Sequence, residues 1–195
     1  MNHNQAAAWV ERLRGARILV VGDVMLDRFV HGSIDRISPE APVPILRSES
    51  TSLALGGAGN VVRNLSALGC RTSFVTIAGR DAAAAEVEGL LGGLPGVEWA
   101  LVQEAQRPTT EKTRFIADRQ QLLRVDLESS RPLQSDACAQ VLRHVSSHIE
   151  ACDAVLLSDY AKGMLSEAVL EGVLQAARRQ GCTVLVDPKG QNYSR

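Results

Sequence analysis

The residues able to do chemistry in this 195-residue chain recur in one kind of place. Asp23 and Asp27 follow the short apolar run Ile18-Leu-Val-Val21. Asp159 and Lys162 follow Ala154-Val-Leu-Leu-Ser158, and Asp187 and Lys189 follow the run beginning at Thr183. In open α/β sheets ligands collect beyond the carboxyl ends of the strands, so three strand ends are expected to converge on one rim. A fourth feature joins them, Ala54-Leu-Gly-Gly-Ala-Gly-Asn60, followed by Val61, Val62, Leu65 and Leu68 at helical spacing and by Gly69. Glycines there let the backbone take positive φ and approach a bound molecule. Asn60 stands where a helix N-cap is expected, and the first helical N–H groups favour electron-rich oxygens. This reads as a floor for a small polyhydroxylated ligand. The plain alternative is a tight strand-to-helix turn without a ligand. Asp27 is read as functional. Asp23 is read as a turn-forming carboxylate that accepts nearby backbone N–H groups.

The elements that must position these residues follow from hydrophobic spacing. Residues 5–14 suit a short helix ahead of the core. Ala16 to Gly22, Thr72 to Ala78, Val97 to Val102, Ala154 to Ser158 and Thr183 to Val186 are short apolar runs, as in strands of a parallel sheet buried on both faces. Helical patterns alternate with them: the glycine helix, Ala82 to Leu91, a helix starting at Ser135 or Asp136, and one capped by Ser166 and closed by Gly181. That rhythm predicts a doubly wound α/β sheet. Two stretches interrupt it. Phe29 to Ile37 alternates as a strand, Ser38-Pro-Glu-Ala-Pro-Val-Pro44 excludes helix, and Val43 to Arg47 is a second short extended piece. Thr109 to Ala117 and Gln121 to Asp126 form a polar hairpin joined by Asp118-Arg119-Gln120. Both stretches, at about 29–48 and 109–126, are expected in a small β lid outside the main sheet.

Composition removes several function classes. Hydrophobic residues make up 45%, which is globular. A net charge of −1 with dispersed Lys and Arg argues against a nucleic-acid surface. No apolar run reaches the ~18–20 residues of a membrane span, and the N-terminus lacks a secretory core. Cys70, Cys138, Cys152 and Cys182 are far apart, which suggests reduced thiols in a cytoplasmic protein and no metal site. His144 and His148 have i, i+4 spacing but no third ligand in view. Gly-x-Gly-x-x-Gly does not follow the first strand, which argues against a dinucleotide-binding dehydrogenase.

The segment order resembles the ribokinase-like carbohydrate kinases, and one branch most closely, the D-glycero-β-D-manno-heptose 7-phosphate kinases of lipopolysaccharide core biosynthesis. The resemblance is carried by Val21-Gly-Asp-Val-Met-Leu-Asp27, Arg36-Ile-Ser-Pro-Glu-Ala-Pro-Val-Pro44, Gly56-Gly-Ala-Gly-Asn60, Lys112-Thr-Arg114, Gln120-Gln-Leu-Leu-Arg-Val-Asp126, Leu157-Ser-Asp-Tyr-Ala-Lys-Gly163 and Asp187-Pro-Lys-Gly190. It implies a ribokinase-like, mostly parallel sheet with a β lid, from residue 16 onward after an extension over 1–15. It implies transfer of the ATP γ-phosphoryl group, with Mg2+, to the anomeric hydroxyl of the heptose phosphate. Asp27 with Gly56, Gly57 and Asn60 would hold sugar hydroxyls. Lys112, Arg114, Arg124, Lys162 and Lys189 are candidates for phosphate, any one being equally a solvated surface cation. Asp187 and Lys189 would serve the nucleotide side. The lid often builds a dimer in this family.

The resemblance also implies about a hundred further residues. They would hold a Gly-Ala-Gly-Asp motif whose Asp is the catalytic base and whose glycine-rich helix start is the anion hole. That motif is absent from residues 1–195, so the catalytic Asp is expected beyond Arg195 and no catalytic residue is assigned within the chain. The chain is therefore expected to be an N-terminal, catalytically silent part of a kinase that keeps much of the sugar site. An open last sheet edge would then favour dimers, poor solubility or a rearranged C-terminal end. In many relatives a nucleotidyltransferase domain follows. The competing readings are another ribokinase-like sugar kinase and a non-catalytic, dimeric sugar-phosphate-binding module.

Overall fold

In the computed structural model the described residues are Ala8 and residues 10–189. The expected helix over 5–14 lies partly outside them, although 10–13 are helical. Gly190 of the last motif lies outside the described residues. So does Arg195, the residue beyond which the catalytic Asp is expected, and the structure therefore does not test that expectation.

Five strands, β1 Arg17–Gly22, β4 Arg71–Ala78, β5 Val97–Gln103, β8 Ala154–Ser158 and β9 Thr183–Asp187, form one wholly parallel sheet. Their order is β5-β4-β1-β8-β9. Leu19, Val20 and Val21 of β1 have no solvent exposure, because helices cover both faces. On one side lie α1 (Ala58–Ala67) and α2 (Ala82–Gly92), with Val62, Val87 and Leu91 packed on Val20 and Phe74. On the other lie α3 (Ser135–Ile149) and α4 (Glu167–Gln180). Helix α3 buries Ala137, Val141, Val145 and Ile149 at steps of four, a stripe that meets Leu19, Val155 and Val173. Ser166 caps α4 by accepting from Val169 N, and Gly181 closes it with φ 64°. From β1 the chain first builds outward through β4 and β5, then returns to add β8 and β9 on the other side. The order reverses between β1 and β8, the place where such sheets open a crevice at their carboxyl ends.

Four more strands, β2 Val24–Ile37, β3 Pro44–Gly57, β6 Glu111–Ala117 and β7 Gln120–Leu127, form a second sheet in the order β3-β2-β6-β7. The two interruptions of the α/β rhythm are therefore neighbours in one outer sheet. Strand β3 is longer than the sequence suggested. The expected short piece at Val43 to Arg47 is the start of a 14-residue strand that runs to Gly57. The antiparallel partner β2 supports it along its whole length, with irregularities after His31 and Ile34. Asp118 and Arg119, with φ 47° and 67°, turn β6 into β7.

Candidate functional site

Asp23 stands at the crevice between β1 and β8 and is only 2% exposed. Its carboxylate accepts from three backbone amides of the loop after β8: Tyr160 N at 2.9 Å and Lys162 N at 3.1 Å on Oδ2, and Met164 N at 3.0 Å on Oδ1. Its carbonyl accepts from Ala58 N at 2.9 Å, the first amide of α1. Burial raises the pKa of this carboxyl, and the three N–H groups oppose the rise. Asp23 thus does accept backbone N–H groups, but they come from 137 to 141 residues away. It ties the start of α1 to the loop carrying Lys162.

Asp27 is not at the end of β1. The apolar Val24, Met25 and Leu26 let the chain continue extended directly into β2, so Asp27 belongs to the outer sheet. Asp27 lies beside Ala54 and Lys112, and Lys112 lies beside Asp126. The next row on the same face is Phe29, Arg114 and Arg124. Arg114 Nη1 donates to Asp27 Oδ1 at 2.6 Å, and its guanidinium stands 5.2 Å over the Phe29 ring. Arg124 Nε and Nη2 donate to Asp126 at 2.7 and 3.0 Å. Lys112 Nζ donates to Asp126 at 2.8 Å and to Glu128 at 3.3 Å. Lys162, arriving from the core, reaches the same Glu128 oxygen at 2.8 Å. Donated hydrogen bonds hold Asp126, through Lys112 first, and Glu128, through Lys162 first, below the usual carboxylate range. Four of the anticipated cations thus form one charged band with Asp27.

Gly56 and Gly57 lie against the two aspartates. A Cβ on Gly56 would strike Asp27 Oδ2, so this backbone lies directly against the carboxylate. Gly57 caps α1 with φ 56° and ψ −135°, and a Cβ there would run into the Asp23 carbonyl. The cap is therefore Gly57 and not Asn60. The long strand β3 delivers the chain to the helix three residues earlier than expected, and Asn60 falls within the first turn, where its Oδ1 accepts from Arg63 at 2.7 Å. Asp187, the last residue of β9, and Lys189 just past it are exposed and apart from that band in their contacts. The Asp187 carbonyl accepts from Asp159 N at 3.0 Å, and Lys189 Nζ lies 6.0 Å from the Tyr160 ring centre.

Three groups at this site escaped the sequence. Glu128, just past the end of β7, continues the sequence alternation of Arg124 and Asp126, a pattern that would have revealed it. Asp81 caps α2 and also accepts from Thr109 N at 2.8 Å and Thr109 Oγ1 at 2.7 Å, fixing the entry to β6. Burial raises its pKa, but these bonds outweigh burial and leave it lowered. Arg107, buried beside Glu104, lies in a polar segment that has no periodic signal. His148 turns Nδ1 to the His144 carbonyl at 2.7 Å, and the described residues hold no cluster of three or more His, Cys, Asp or Glu fit for a metal. A hollow of about 420 Å³ lies at the opposite, amino end of the sheet, lined by Arg17, Arg71 and His148 among others.

The bifunctional protein HldE of Paramagnetospirillum magneticum is 48% identical over 185 residues, covering 95% of this chain and 38% of the relative. HldE of Granulibacter bethesdensis is 49% identical over 178 residues, covering 91% and 37%. The chain thus spans under two fifths of these curated relatives. Among solved structures, a carbohydrate kinase from Agrobacterium tumefaciens superposes with a TM-score of 0.65 at 24% identity, over 88% of this chain and 53% of that one. Phosphofructokinase-2 from Escherichia coli in complex with fructose-6-phosphate gives 0.67 at 20% identity, over 91% and 56%. Both show the same fold. A profile of the pfkB family carbohydrate kinases matches residues 16–195, and the chain belongs to that family.

Proposed function

We propose that this chain is the sugar-binding part of a kinase that transfers the ATP γ-phosphoryl group to the anomeric hydroxyl of D-glycero-β-D-manno-heptose 7-phosphate, in ADP-heptose biosynthesis. The observation that carries the reading is Asp27, seated against Gly56 and bordered by Lys112 and Arg114. A carboxylate reads hydroxyls, and the neighbouring cations suit a phosphate ester. The identity to the two HldE proteins supports the heptose branch. Asn60 is a candidate at the first turn of α1, provided that it leaves Arg63. Lys189 and Asp187 are candidates for the nucleotide. A divalent metal such as Mg2+ has no carboxylate cluster among the described residues, so no step is assigned to it.

Residues 1–195 contain no Gly-Ala-Gly-Asp motif to supply a base or an anion hole. The chain is therefore expected to bind sugar phosphate without turning over ATP. Exposed Leu123, Val125 and Leu127 on β7 support a homodimer through the outer sheet. ATP and reduced thiols both point to the cytoplasm.

Thermal-shift measurements with heptose 7-phosphate, fructose 6-phosphate and ribose test the assignment. The largest stabilisation is expected with the heptose phosphate. Equal shifts, or none, overturn it, and a preference for fructose 6-phosphate moves the chain to another sugar kinase. ATP turnover by this chain above a contamination control overturns the expected silence.

A further inference from the structure

Arg107 is only 6% exposed, and its role is not explained by the charged band. Its Nε donates to Glu104 Oε2 at 3.0 Å, while Glu104 Oε1 accepts from Gln134 N at 2.7 Å. The rest of the guanidinium is given to main chain. Nη1 donates to the Lys162 carbonyl at 2.7 Å and the Ser129 carbonyl at 3.3 Å, and Nη2 donates to the Arg131 carbonyl. Three carbonyls from two segments thus share one planar group. The N–H of Lys162 donates to the buried Asp23 carboxylate at 3.1 Å. Lys162 is therefore gripped at both ends of its own backbone by buried groups of opposite charge. From between them its ammonium extends 2.8 Å to Glu128, the residue just before Ser129.

We propose that Arg107 is a positioning residue. Together with Asp23 it clamps the Lys162 backbone and sets the ammonium where the outer sheet meets the core sheet, facing the phosphate of a bound sugar. This rests on the reading of Lys162 as a phosphate contact. A lysine at position 107 would supply a point charge where a fork is needed and could not span the three carbonyls.

Carboxyl titration by NMR on this chain tests the clamp in the wild type, Arg107→Lys and Asp23→Asn. Glu128 is held low chiefly by Lys162, whereas Asp126 is held low by Lys112 and Arg124, which Arg107 does not touch. Both variants are expected to move the Glu128 titration toward its ordinary range and leave Asp126 in place. An unmoved Glu128 in a folded variant, or equal movement of both carboxyls, overturns the clamp. Should Arg107→Lys fail to fold, Asp23→Asn decides, since the amide keeps the shape and one acceptor oxygen. Calorimetric titration with heptose 7-phosphate and with unphosphorylated heptose adds the functional readout. The variants are expected to lose about tenfold of the advantage given by the phosphate, with affinity for the plain sugar unchanged. A wild-type chain that binds both sugars equally removes the phosphate role of Lys162, and the Glu128 titration still judges the clamp.

Discussion

Replacing Asp23 by alanine would leave the amides of Tyr160, Lys162 and Met164 without their acceptor, the last of them buried and the other two partly so. A buried orphan donor costs about 1–3 kcal/mol and a partly buried one less, so Asp23→Ala is expected to lose about 2 kcal/mol or more in urea unfolding. Asp27 stands in a different position, partly exposed and bonded to one cation. Asp27→Asn is expected to leave stability within about 1 kcal/mol and to weaken sugar-phosphate binding by about tenfold or more in calorimetry, the range of a charge-assisted hydrogen bond. The two aspartates lie four residues apart in one string, and the sequence reading made Asp23 an acceptor of backbone amides, as it is, while the ligand role it gave Asp27 remains a proposal. It could not find Arg107, because the partners of that side chain are carbonyls brought from residues 129, 131 and 162. Acid should act through the same groups. Asp81, Glu111, Asp126 and Glu128 titrate below their ordinary values of 3.8 and 4.5, so the stability they give is present above about pH 4.5 and is lost as pH falls through their depressed values. Asp23, raised by burial, opposes this, since its folded form gains relative stability as it takes up a proton. With these four and Asp153, which the Arg17 guanidinium also holds low, against one, the melting temperature is expected to fall between about pH 5 and pH 3.

The elements were legible where a helix or strand buries a regular stripe. Helix α3 with Val141, Val145 and Ile149, and strand β1 with Leu19, Val20 and Val21, declare themselves by spacing. Strand β3 did not, because Arg47, Ser48, Glu49, Ser50, Thr51 and Ser52 are exposed in an outer sheet, and its order comes from pairing with β2 rather than from burial. The position of the α1 cap was missed for the same reason, since the end of β3 decides it. Gly57 should therefore resist change. A Cβ there meets the Asp23 carbonyl at a φ that side chains rarely adopt, and Gly57→Ala is expected to cost about 2 kcal/mol or more in unfolding experiments. The β6–β7 turn should respond in the opposite direction. Asp118 and Arg119 both hold positive φ, so Asp118→Asn with Arg119→Gly is expected to raise the melting temperature by about 1–3 °C, read by circular dichroism.

At the scale of the whole molecule, both sheets leave apolar strands at their margins. On β7 the side chains of Leu123, Val125 and Leu127 are exposed, and on β9 those of Leu185 and Val186. Such margins pair or aggregate unless covered. Val125→Glu is expected to shift sedimentation toward monomer if β7 makes the dimer, and an unchanged distribution would direct attention to β9. The joint between the sheets carries a mechanical consequence. Strands β2 and β3 pass between the sheets side by side, with Val24 paired to Gly57 and Met25 to Gly56, and β6 enters beside them through the Leu26 amide bonded to the Thr110 carbonyl. These three crossings lie side by side at Gly56 and Gly57, and the chain crosses a fourth time after β7, where Arg107 and Lys162 hold residues 128–131 to the core. Any shift of the outer sheet must therefore bend the peptides at Gly56 and Gly57, and a sugar seated on them, as proposed, would resist that bending.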